Sequence, residues 1–179
     1  LTRYRADAAN PNVADLSTRQ VLIGATWSVG IPSLDYSHSA GSIRFGADKT
    51  LLMSAGDGAR FNGGDAGGLD PGGFGPGKLD PSEDIGAFRS LSLNSMAGKV
   101  LRVDKETGNG LPSNPYWDGN PTSDRSRVWA YGFRNPYRFC VRPGTGSTNP
   151  GVGQPGVIYL GEVGWSTFEE LNIVILAGR

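Results

Sequence analysis

This sequence has one histidine and one cysteine in 179 residues. A lone cysteine excludes an internal disulfide, and Phe139-Cys140-Val141 reads as a strand in which Cys140 is a small buried hydrophobe. No apolar run approaches the length of a membrane span, so no spanning helix is expected. Seventeen basic and 17 acidic residues cancel to a net charge of +0. Without a basic stripe, nothing in the sequence fits nucleic acid as a partner. No stretch has the 3.6-residue period of a long amphipathic helix. The sequence starts at Leu1, and no signal-like segment is present, which reads as a processed, trimmed or partial chain.

What is present is turn chemistry. There are 28 glycines and 12 prolines, yet 37% of the chain is hydrophobic, so composition does not describe a disordered segment. Glycine and proline at short intervals, with β-branched and aromatic runs between them, predict many short strands and an all-β fold. The size is that of one core of ordinary dimensions, and residues 1–179 are read as a single domain.

The most informative stretch is residues 36–58, YSHSAGSIRFGADKTLLMSAGDG. Residues 42–45 and 50–54 are predicted strands, and Gly46-Ala47-Asp48-Lys49 is the turn between them. A hairpin brings its outer ends together, so Asp57 returns to the level of His38. An imidazole beside a carboxylate can serve as a base near neutral pH. Taken alone, the same two residues also describe a locally bonded histidine and a turn aspartate.

Residues 58–94 form a long Gly/Asp-rich loop with no period of two or 3.6. A loop of that length in a compact domain points to binding, a lid or an ion-bound turn cluster. Asp57, Asp65, Asp70, Asp80, Glu83 and Asp84 supply oxygens suited to a hard cation such as Ca²⁺, although their spacing is not that of an EF-hand. Solvated turn aspartates are the other reading.

Further strands are expected at residues 19–27, 97–104, 127–133, 137–142, 157–160 and 169–175, with Arg3-Tyr4-Arg5 closing one more. The proline-rich loop 111–122 carries Tyr116 and Trp117, read as loop anchors rather than ligand-stacking platforms. One plan recurs. Arg44-Phe45, a turn, an apolar strand and Gly56-Asp57-Gly58 are followed later by Arg138-Phe139, a turn, an apolar strand and Gly161-Glu162-Val163-Gly164. That is the rhythm of a β-propeller, whose blades are small antiparallel sheets with strand ends gathered at a central mouth.

Four motifs occur in order: His38-Ser39-Ala40-Gly41 to Gly56-Asp57; Gly98-Lys99-Val100-Leu101-Arg102; Gly132-Phe133-Arg134-Asn135-Pro136; and Gly161-Glu162-Val163-Gly164 to Glu169-Glu170-Leu171-Asn172. Together they resemble the soluble quinoprotein glucose/sorbosone dehydrogenases, over nearly the whole chain. The resemblance implies a six-bladed propeller of four-stranded sheets, of which this chain covers about three blades. The remaining blades would lie outside this sequence.

The resemblance also implies a chemistry: oxidation of a sugar hydroxyl using pyrroloquinoline quinone (PQQ) and Ca²⁺. His38 then corresponds to the base, Asp57 to the carboxylate that orients it, and Arg134 and Asn135 to the pair that contacts PQQ. The backbone oxygens of Gly164 and Trp165 correspond to calcium ligands, with Asp65 and Glu170 as further metal candidates. Trp165 replaces a proline of some relatives. A separate redox cofactor agrees with the residues themselves, since no side chain here can accept hydride and no Gly-rich turn opens a helix to hold a dinucleotide. An external electron acceptor and a periplasmic or extracellular location follow from the same resemblance. A calcium-binding propeller module that recognises carbohydrate or protein without catalysis is the alternative.

Overall fold

In a computed structural model, residues 1–68 and 79–175 are described. They form three antiparallel sheets in chain order. The first pairs β1 (Thr2–Ala6) with β2 (Ala14–Val21). The second runs β3 (Ala40–Phe45), β4 (Leu51–Ala55), β5 (Lys99–Val103) and β6 (Val128–Tyr131). The third runs β7 (Arg138–Val141), β8 (Ile158–Glu162) and β9 (Glu170–Val174). One four-residue helix, α1 (Asp124–Arg127), precedes β6 and is capped by the Ser123 hydroxyl.

Successive meandering sheets make this part of a β-propeller, as the repeated plan predicts. The strand counts differ from four per blade, being two, four and three among the described residues. Arg44-Phe45 and Arg138-Phe139 do occupy equivalent places, on the first strands of the second and third sheets.

The inner strands of the middle sheet are buried on both faces, whereas its edge strand β3 is largely exposed. Leu52, Val100, Trp129 and Ala130 pack one way, against Phe139, Ile158 and Leu160 of the third sheet. Leu51, Leu101, Val103 and Val128 pack the other way, against Leu22 and Ile23 after β2. Hence β4 and β5 are buried throughout and read as continuous apolar runs rather than alternating ones. A buried ion pair braces the second sheet, and its arginine also reaches the connection between β7 and β8 of the third. The Arg102 guanidinium grips Asp48 through Nε at 3.0 Å and Nη2 at 2.7 Å, then reaches the Pro150 carbonyl at 2.7 Å.

Three local expectations are corrected. Cys140 is exposed, because β7 alternates and its neighbour Phe139 takes the inward position. The strand expected at residues 19–27 lies earlier, over Ala14–Val21, and a 3₁₀ turn occupies Trp27–Val29. The segment 58–94 is not wholly irregular: 3₁₀ helices form at Pro81–Glu83 and Gly86–Leu91.

Candidate active site

The hairpin register builds the centre of the site. Ala40 pairs with Ala55, so two residues further out on each strand stand His38 and Asp57. Nδ1 of His38 lies 2.8 Å from Oδ1 of Asp57, and both side chains are buried. An ionised carboxylate can only accept, so this bond places a hydrogen on Nδ1 and leaves Nε2 as the basic nitrogen. Asp57 Oδ1 accepts a second bond from the Ala59 amide at 2.9 Å. His38 adopts a left-handed backbone (φ 51°), and its carbonyl accepts from the Gly58 amide at 3.1 Å. Gly56 permits this fold-back, since a Cβ there would lie 2.2 Å from the His38 carbonyl oxygen.

Arg134 joins the pair from the loop between the second and third sheets. Its carbonyl accepts from the Asp57 amide at 2.8 Å. Its guanidinium donates from Nη1 to the carbonyls of Val163 and Gly164, both at 3.0 Å, and stands over the Trp165 ring at 5.1 Å. Buried Glu162 supports this turn: one carboxylate oxygen accepts from the Arg134 amide, and the other accepts from Asn172 Nδ2 at 2.8 Å. Burial pushes the Glu162 carboxyl upward from its ordinary range.

His38, Asp57, Asp65, Arg134 and Trp165 line one cavity of about 230 Å³, together with Arg60, Ala87 and Ser90. Asn135 and Glu170 are not among the residues lining it. Asn135 uses its carbonyl to accept from the Val163 amide at 3.1 Å. Glu170 is exposed, pairs in register with Glu162, and lines a separate cavity near Tyr131 and Asn172.

The acidic loop residues are largely occupied by turns. Asp65 accepts from the amides of Arg60 and Gly67 at 2.9 and 3.1 Å. Asp84 accepts from the Gly68 amide at 3.0 Å, and Asp80 caps the first 3₁₀ helix. Asp70 lies outside the described residues. Among the described residues no group of three or more His, Cys, Asp or Glu side chains could hold a metal. Backbone oxygens are a different donor set. The Gly164 carbonyl accepts from Arg134 Nη1.

Three residues behind the site have structural roles that the sequence does not assign. Arg89 is fully buried and donates from Nη1 to the Asp57 carbonyl at 2.9 Å. Lys99, also fully buried, donates to the carbonyls of Arg89 (2.9 Å), Ser90 (2.9 Å) and Ala97 (2.6 Å). Glu83 is buried beside them, and its Oε1 has no partner among the described residues. Burial pushes the Glu83 carboxyl up to about 7 and the Lys99 ammonium down to about 7. The sequence marks Lys99 within Gly98–Arg102 and Glu83 among the acidic loop residues, but gives no partner for either.

A family model described as glucose/sorbosone dehydrogenase matches residues 14–175. The PQQ-bound aldose sugar dehydrogenase of Streptomyces coelicolor superposes with a TM-score of 0.61 at 22% identity. That match covers 99% of this chain and 37% of the other. A crystal structure of a glucose dehydrogenase gives a TM-score of 0.59 at 21% identity, covering 99% of this chain and 38% of the other. The chain thus spans a little over a third of the length of these two structures. At such identities the likeness speaks for the fold.

Proposed function

Because the chain belongs to the glucose/sorbosone dehydrogenase family, we propose that it contributes the base side of a site that oxidises a sugar hydroxyl with PQQ. The observation that carries this reading is the buried His38–Asp57 pair, 2.8 Å apart, lining one cavity with Arg134. Bound PQQ would supply the two-electron acceptor that no side chain here provides, and bound calcium would supply Lewis-acid polarisation of a quinone carbonyl.

The residues of this chain do the rest. Asp57 fixes the Nδ1–H tautomer of His38, so Nε2 can take the hydroxyl proton as the adjacent C–H bond gives up its hydride. The imidazolium that results faces a carboxylate, which stabilises it in a buried site. Arg134 presents a fixed cation at the same cavity, suited to the negative charge that develops on a reduced quinone. Asn135, next in sequence, would contact the cofactor only from outside the lining of this cavity. The carbonyls of Gly164 and Trp165 would hold calcium. A simple sugar is the substrate class, and an external acceptor would reoxidise the cofactor.

Dye reduction by the full-length protein with PQQ, Ca²⁺ and an aldose tests the reading. His38→Ala is expected to lower turnover by about 10²- to 10⁴-fold, the usual contribution of a positioned base. Undiminished dye reduction in that variant would remove His38 from the mechanism.

A further inference from the structure

We infer that Arg89 is a positioning residue for the His38–Asp57 pair: its buried guanidinium fixes the main chain of Asp57, and so the distance at which carboxylate meets imidazole. The inference rests on His38 being the base.

Arg89 sits in the 3₁₀ helix Gly86–Leu91 with a side chain wholly removed from solvent. Nη1 donates to the Asp57 carbonyl at 2.9 Å, and Nε donates to the Glu83 carbonyl. The fork therefore clamps two separate segments to one plane, which the single point of a lysine ammonium cannot reproduce. Lys99 in turn holds the carbonyls of Arg89 and Ser90. A chain of buried contacts thus runs from the first residue of β5, through the 3₁₀ helix, to Asp57.

Asp57 is consequently tied at its amide, its carbonyl and one carboxylate oxygen. Its amide is held by Arg134, its carbonyl by Arg89, and its Oδ1 by His38 and Ala59. Of these contacts, the one with Arg89 is made by a charged side chain from outside the lining of the cavity. Stability alone is a poor reason to keep Arg89. Its Nη2 has no partner among the described residues, and neither does Glu83 Oε1. A buried, incompletely paired cation is costly, and a well-packed apolar residue commonly replaces such groups without loss.

His38 is the only histidine in these 179 residues, and in the full-length protein its ¹⁵N imidazole signals are assigned by their loss in His38→Gln. Exchange of its Nδ1–H proton with water can be measured in the full-length protein without PQQ. Arg89→Met is expected to speed that exchange by about tenfold or more, by easing local opening of Asp57. Arg89→Lys, which keeps the cation but not the fork, should fall between the two. Leu160→Ala, a core variant in the third sheet, should lower thermal stability and leave the exchange unchanged. Arg89→Gln, which retains a donor and most of the volume, is read in the same way should the Met variant not fold.

Unchanged exchange in the Arg89 variants overturns the inference, as does equal acceleration in Leu160→Ala. Failure of every Arg89 variant to fold, while Leu160→Ala folds, would make Arg89 a structural residue only. The two readings fail separately: dye reduction that persists in His38→Ala removes the base, whereas unchanged exchange in Arg89→Met removes only the role of Arg89.

Discussion

The amide of Asp57 donates directly to the carbonyl of Arg134 at 2.8 Å. Two candidate catalytic residues, far apart in sequence, therefore share a main-chain bond at the junction of two sheets. Because that bond is backbone, a side-chain change at Asp57 leaves it in place. Asp57→Asn isolates the carboxylate charge, since an amide oxygen can still accept from Ala59. The variant is expected to keep its fold and its melting temperature within a few degrees, and to lose about 10²- to 10⁴-fold in turnover. Paired calorimetry and dye-reduction assays check this. A matching loss of stability would mean that the carboxylate serves the turn.

The hairpin was legible because its turn residues and register are local. Asp48 and Lys49 mark the reversal, and pairing outward from it predicts that His38 meets Asp57. The motif residues of Arg134 and the Gly161–Gly164 turn could also be read, through family resemblance rather than periodicity. The contacts of Arg89, Lys99 and Glu83 could not, although Lys99 stands within a motif. Their roles depend on which carbonyls a folded loop turns inward, and no repeat in the sequence encodes that. Cys140 was misread for a related reason: an apolar triplet does not reveal which member of a short strand faces the core, and Phe139 took that place. The acidic residues of the 58–94 segment can be read as cation ligands or as turn residues; Asp65 and Asp80 cap amides of nearby turns, and Asp84 accepts from the Gly68 amide across the segment.

Gly56 is the position where the site tolerates least. An added methyl would meet three main-chain atoms of His38, the oxygen at 2.2 Å. Backbone cannot swing aside as a long side chain can, and the left-handed φ of His38 leaves it little room to adjust. Gly56→Ala is expected to cost about 1–3 kcal/mol, the range for overpacking a filled site, and to displace the imidazole from Asp57. Urea unfolding gives the first quantity, and the His38 Nδ1–H signal reports the second. Unchanged values for both would show that the hairpin ends are looser than the contact implies.

Glu83 supplies a pH dependence whose direction can be worked out. Burial raises its carboxyl from 4.5 to about 7 in the folded chain, so folding favours the protonated form. Below pH 4.5 both folded and unfolded chains carry the proton, and the group imposes no cost. Between 4.5 and about 7 the folded chain holds a proton that the unfolded chain releases, so stability falls as pH rises. Above that window the loss levels off, at up to about 3 kcal/mol. Lys99 also titrates near neutrality by burial, yet its three bonds to carbonyls require all three ammonium hydrogens and oppose loss of the proton. Comparison with Glu83→Gln separates the two, because the amide mimics the protonated acid and removes only the carboxyl slope. Urea unfolding at pH 5 and pH 8 should therefore show the Gln variant gaining on the parent as pH rises. Curves that stay parallel across that interval would mean that Glu83 ionises freely, and that its unpaired oxygen reaches water.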